Sequence, residues 1–188
     1  MAQDTSLITL GGGTLYVADY GEAMPTDLTA TPAGNWAAIG YTEQGAALDL
    51  STTTEEARVD ELFDPVAEVT TEISTSFSTV VAQFTFDTLL RALNGGTVTV
   101  DAGPPVVNTF EPPGPADIAY FAALYVFTNQ HGFNSHLQMP KVKNIAALNV
   151  EFQQSGAVIR KVPLELKMFP DTSLTDKAWN IVEYESAT

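Results

Sequence analysis

The sequence predicts a mainly β chain with one α-helix packed on a sheet or sandwich. Three observations carry that prediction. Thr, Val, Phe and Tyr are frequent, and Gly and Pro interrupt the chain at short intervals, as strands joined by turns require. Residues 66–84 show period-2 alternation, with one apolar-leaning and one polar face. Only one segment, Thr85–Asn94, carries a helical stripe. With 188 residues the chain fits one domain, residues 1–188, and is long enough to bury a core without a disulfide or a metal.

In order along the chain, Gly11-Gly12-Gly13 is a flexible break before a short strand at Leu15–Ala18. Residues Gly21–Asn35, with two prolines and small polar side chains, predict a loop. A second short strand follows at Trp36–Tyr41, its Trp anchored in a core or interface. Leu48–Asp60 predicts another loop. The alternating segment then places Val69, Thr71, Ile73, Thr75, Phe77, Thr79 and Val81 on one face. Glu68, Thr70, Glu72, Ser74, Ser76 and Ser78 take the other.

In the helix, Phe86, Leu89, Leu90 and Leu93 form the stripe, Thr85 or Asp87 caps the start, and Asp87 and Arg91 are spaced to pair. Gly95-Gly96 ends it. Thr97–Val100 is a short strand, and Asp101–Ala116, with five prolines, predicts an irregular surface loop. The apolar run Ile118–Thr128 suits a strand buried on both faces. Phe133–Met139 and Lys141–Gln153 follow as separate segments. Gln154-Ser155-Gly156 turns, and Ala157–Phe169 returns as the second arm of a hairpin, with Arg160 breaking its apolar face. Trp179, Ile181 and Tyr184 give the tail enough apolar surface to dock.

Composition excludes several functions. There are no cysteines, so disulfide frameworks, thiolate metal sites and cysteine nucleophiles are ruled out. The net charge is −15. Only Arg58 and Arg91 are basic before residue 141, so the whole acidic excess lies in that part, and neither nucleic acid nor anionic membrane is an expected binding partner. The opening MAQDTSLITL lacks a secretory pattern, which predicts synthesis in a cytoplasm.

Chemistry-bearing constellations are few. His131 and His136, without a third nearby ligand, make a poor metal site and read better as ordinary loop or strand histidines. No serine lies in a Gly-x-Ser-x-Gly setting, and Gly11-Gly12-Gly13 lacks the lysine of a phosphate loop. The acids Glu55, Glu56, Asp60, Glu61, Asp64, Glu68 and Glu72 could include a glycosidase-like pair, but a solvated acidic face explains them as well. The expectation is a non-enzymatic structural protein with no catalytic residue, cofactor or metal.

Residues 11–50, GGGTLYVADYGEAMPTDLTATPAGNWAAIGYTEQGAALDL, resemble the N-terminal region of the siphophage major tail protein (tail tube protein) family. The long alternating strand feeding TFDTLLRALNGG fits it too, as does the closing hairpin MPKVKNIAALNVEFQQSGAVIRKVPLELKMFPD. The resemblance implies two packed antiparallel sheets forming a sandwich or partial barrel, flanked by one helix. It implies hexameric rings of this chain, stacked into a tail tube that conducts the genome during ejection. It further implies a place in the virion tail, with the tape measure protein and the tail terminator as partners, and DNA passing without specific binding. The loops near 21–35, 48–60 and 101–116 would be ordered by the next ring.

A type VI secretion-like tube protein and a monomeric β-sandwich binding or decoration module share the pattern and stay open as alternatives. An acidic, short-hydroxyl surface suits a DNA bore, because it repels phosphate and leaves width. The expected lumen lining is therefore Glu68, Thr70, Glu72, Ser74, Ser76 and Ser78. Lys141, Lys143, Lys161 and Lys167 are expected on a different face, outward or at ring contacts, where acids from the first 140 residues can meet them.

Overall fold

A computed structural model describes residues 12–58, 64–128, 133–149 and 161–183. Among the described residues the chain is mainly β, with two antiparallel sheets, one α-helix and no closed barrel. The strands are β1 (Gly13–Asp19), β2 (Ala37–Ala38), β3 (Thr42–Ala57), β4 (Ala67–Val81), β5 (Thr97–Asp101), β6 (Val107–Glu111), β7 (Phe121–Thr128), β8 (Asn134–Asn144), β9 (Val162–Met168) and β10 (Asn180–Glu183). The helix α1 is Phe86–Ala92. The sheets are unequal. One has eight strands in the order β2-β1-β7-β8-β9-β4-β3, with β10 also on β8; the other is the β5–β6 hairpin alone. The large sheet curls until parts of β1 and β3 lie within 8 Å of each other.

β8 is the centre of this arrangement. Ser135–Pro140 is buried throughout, so both faces of the strand are covered. It pairs with β7 on one side, and with β10 and then β9 on the other. The two segments expected around Pro140 are one strand. Pro140 and Lys141 together stand against Ala122, a bulge that accommodates a proline where a regular central strand could not. The bulge also resets the alternation, so Leu137, Met139 and Val142 all enter the main core.

That core joins Leu15 and Val17 from β1, Phe77 and Val81 from β4, and Val162, Leu164, Leu166 and Met168 from β9. Gly13 is fixed by packing, since a Cβ there would lie 2.5 Å from the Tyr125 ring. On the opposite face of β1 and β7, a second cluster of Ala18, Ala122 and Leu124 is closed by Trp36. The predicted loop Gly21–Asn35 forms neither helix nor strand, and it is strapped onto this face within its own chain. Leu28 is buried, Trp36 Nε1 donates to the Ala23 carbonyl at 3.1 Å, and Gln138 Nε2 donates to the Pro25 carbonyl at 3.1 Å.

Thr85 caps α1: its hydroxyl accepts from the Thr88 amide, and the Thr88 hydroxyl accepts from the Thr85 amide. The buried positions are Thr88, Leu89 and Ala92, a narrower stripe than the four apolar residues expected. Arg91 does not pair with Asp87. It donates to Asp19 Oδ1 of β1 at 3.1 Å and lies over the Phe121 ring of β7. Asn94, left-handed at φ 57, ends the helix and ties it to β8. Its Oδ1 accepts from the Asn144 amide and its Nδ2 donates to the Asn144 carbonyl. The Asn144 side chain donates to the Ala92 carbonyl and accepts from the Glu165 amide.

Two predicted loops are partly strand. Leu48–Ala57 belongs to β3, and Val107–Glu111 is β6 inside the proline-rich segment. The predicted turn at Gln154–Gly156, with Arg160, and also His131, Asp60, Glu61 and Tyr184, lie outside the described residues. The hairpin pairing itself holds in the described part, Val142 opposing Met168 and Lys143 opposing Lys167.

His136 lies fully buried on β8, and neither ring nitrogen has a hydrogen-bond partner among the described residues. Burial holds its pKa below the ordinary value, and the Asp27 carboxylate on the strap offsets part of that shift. The unfolded chain therefore takes up this proton more readily than the folded one. The contribution of this histidine to stability is complete above its unfolded value of about pH 6.5 and is lost as pH drops below it. Chemical denaturation at about pH 7 and about pH 5 checks this: the midpoint should drop at the lower pH, and His136→Leu should shrink the drop. A second expectation concerns the helix tie. Asn144→Ala leaves a helix-end carbonyl and a β9 amide unpaired in the interior, so it should cost about 3 kcal/mol in urea unfolding.

Candidate assembly surface

β3 and β4 form a hairpin of 16 and 15 residues, held by an antiparallel register running from Thr42–Val81 to Ala57–Ala67. Its base belongs to the sheet, and its outer half is an arm. β4 alternates buried and partly buried from Ser74 to Val81 but is exposed throughout from Ala67 to Ile73. Seven extended residues make that projection about 23 Å long. β3 is exposed at every residue from Gly45 to Ala57, and it is the end strand of the large sheet.

The register assigns each side chain to a face. One parity of β3 carries Leu48, Leu50 and Thr52, opposite Phe77, Thr75 and Ile73. Near the base this side looks into the curl. There it borders a hollow of about 360 Å³ lined by Leu48, Phe77, Tyr125, Phe127 and Ile181, and another of about 410 Å³ with Leu50, Ile73, Met168 and Trp179. Leu50 and Ile73 are 60% and 65% exposed, so this apolar strip lacks full cover among the described residues.

The other parity carries Asp49, Ser51 and Thr53, opposite Ser76, Ser74 and Glu72. Four of the six expected lumen residues, Glu72, Ser74, Ser76 and Ser78, thus share one face. Glu68 and Thr70 do not share it. The register slips by one residue between Thr53 and Thr54, and beyond the slip Thr70 and Glu68 oppose Thr54 and Glu56, the parity of Leu48 and Leu50. Nothing local in the alternating sequence signals that bulge.

The expected separation of lysines from this face also fails. β9 pairs with β4 so that Lys167 opposes Ser76 and Glu165 opposes Ser78, and Lys143 opposes Lys167. The lysines occur there with acids: Lys161 Nζ is 2.9 Å from Glu43 and Lys167 Nζ is 3.9 Å from Glu72. Both pairs are partly exposed and weak. On this face the carboxylates Glu43, Asp49, Glu55, Glu72 and Glu165 outnumber the ammonium groups of Lys143, Lys161 and Lys167. Lys141 stands apart, above the rings of Tyr20 and Tyr120.

The arm acids Glu55, Glu56, Glu68 and Glu72 are exposed, with Glu56 paired to Arg58. Among the described residues no three His, Cys, Asp or Glu side chains converge on a metal-sized site.

A sequence profile of phage tail tube proteins matches residues 1–164. The chain belongs to the phage tail tube protein family. That family is structural, it places the protein in the virion tail, and it implies self-assembly into a tube. A search of curated proteins returned no match.

In this tail tube protein the bare arm has a clear consequence. Leu50→Ser with Ile73→Ser removes apolar surface that the single chain does not bury. Folding stability should change by less than about 1 kcal/mol, while assembly is lost. Thermal unfolding and sedimentation of the same samples separate the two effects.

Proposed function

We propose that the chain forms six-membered rings that stack into the tail tube, and that the tube conducts the viral genome during ejection. Membership in the tail tube family carries this reading. The two-sided arm supports it: the apolar parity gains cover from neighbouring copies, and the polar parity suits a water-filled bore. The protein works without catalysis, made in the host cytoplasm and built into a siphophage tail with the tape measure protein inside and the tail terminator at its end.

The bore lining in this reading is Glu72, Ser74, Ser76 and Ser78, joined by Asp49, Ser51 and Thr53 across the ladder. Glu68 and Thr70, from the lining expected at first, fall outside it because of the register slip. A conduit must repel DNA weakly and bind it nowhere. Short hydroxyls keep the bore wide, the carboxylates repel phosphate, and the acids beside Lys161 and Lys167 quench the charges that would hold it.

Two measurements test the reading. Negative-stain microscopy of the purified protein should show rings or tubes, and a chain that stays monomeric at high concentration and occurs in no tail would falsify it. Phage carrying Asp49→Lys and Glu72→Lys should assemble tails of normal length but eject DNA slowly, whereas Glu68→Lys should eject at the normal rate. Normal ejection by the double variant removes the lining assignment.

A further inference from the structure

The fold leaves two strand systems unfinished. β3 ends the large sheet, and from Gly45 to Ala57 it is exposed with no strand beyond it among the described residues. Its outward backbone groups form an open ladder. The β5–β6 hairpin pairs with no third strand among the described residues, and an isolated two-stranded hairpin is marginal in water. Only Val98 and Phe110 are partly buried in it, Phe110 stacking on Phe86 of α1 at a centroid distance of 6.0 Å. Val100 and Val106 are 62% and 65% exposed.

We propose that the β5–β6 hairpin of one copy adds to the β3 edge of a second copy, continuing the large sheet from one subunit into the next. This rests on the tube-forming reading above and names the surface that joins the subunits. The alternative of β3 against β3 gathers Asp49, Glu55 and Glu56 of two copies at one seam, where like charges oppose pairing. The hairpin strands are neutral along Thr97–Val100 and Val107–Phe110, with Asp101 and Glu111 only at their ends. Threonine and valine there favour extended pairing. The two patches lie on different parts of the chain, so the contact is head-to-tail. Repeated contacts of that kind close a ring or propagate a stack, and they do not stop at a dimer.

The chain has no cysteine, so introduced pairs report without background. Cysteine at Ser51 or Thr53, combined with cysteine at Thr99 or Thr109, should give a ladder of covalent oligomers when assembled protein is oxidised. Tubes that form without this ladder overturn the proposal and leave the tube reading intact; a protein that never forms tubes overturns that reading instead. Covalent dimers from the β3 cysteines alone would show β3 against β3 and also overturn the proposal.

Charge gives a second arm to the test. Thr99→Glu with Thr109→Glu should raise the concentration needed for assembly about tenfold, while Thr99→Lys with Thr109→Lys leaves it unchanged or lowers it, because β3 is acidic. Equal effects of both signs contradict the pairing. Hydrogen exchange on the unaltered protein guards against misfolded variants: amides of residues 48–57 and of β5–β6 should gain protection together on assembly. Protection of neither segment in tubes overturns the assignment.

Discussion

Everything else in this fold hangs on β8 being covered on both faces. A strand in that position must satisfy its backbone on both edges and its side chains on both sides. β7 fills one edge, β10 and β9 share the other, the main core takes Leu137 and Met139, and the strap covers His136 and Gln138. The bulge at Pro140 lets a single strand serve two successive partners. Its last residue, Asn144, then closes the helix end and braces β9. With β9 fixed, β4 is fixed, and β4 aims the arm.

The arm follows from this anchoring and from nothing beyond it. Its base is held by Phe77 and Val81 in the core, while among the described residues its outer half is held mainly by the β3–β4 ladder, with Glu72 near Lys167. Such a hairpin keeps its shape from backbone pairing and leaves both faces for other molecules. One face is apolar and asks to be covered, and the other is polar and tolerates water. A subunit that self-assembles into a tube must present surface that its neighbours can cover.

Charge is arranged in the same economical way. Part of the acidic excess of the first 140 residues falls on the arm and the strap, and Lys161 and Lys167 of the last third come beside Glu43 and Glu72. From the sequence these lysines are expected off the polar face of β4, at places where acids of the first 140 residues meet them. Strand pairing brings them onto one face, and the remaining imbalance is still acidic.

Residues with one-sided burial were legible directly. The alternation of β4, the short helix after the Thr85 cap, and β9 all leave a period in the sequence, because one face meets the core and the other does not. The acidic, cysteine-free composition already pointed away from catalysis and DNA binding. Segments without one-sided burial were not legible. Leu48–Ala57 has water on both faces, so Asp49-Leu50-Ser51-Thr52-Thr53 shows no core-facing period and became a strand only by pairing with β4. β6 is hidden among prolines and exists because β5 lies beside it. The slip near Thr71, the Pro140 bulge and the choice of Asp19 over Asp87 by Arg91 depend on partners far away in sequence. Local chemistry therefore decided which residues could be strand or helix. Register, which is settled only when distant strands meet, decided which face each functional side chain occupies.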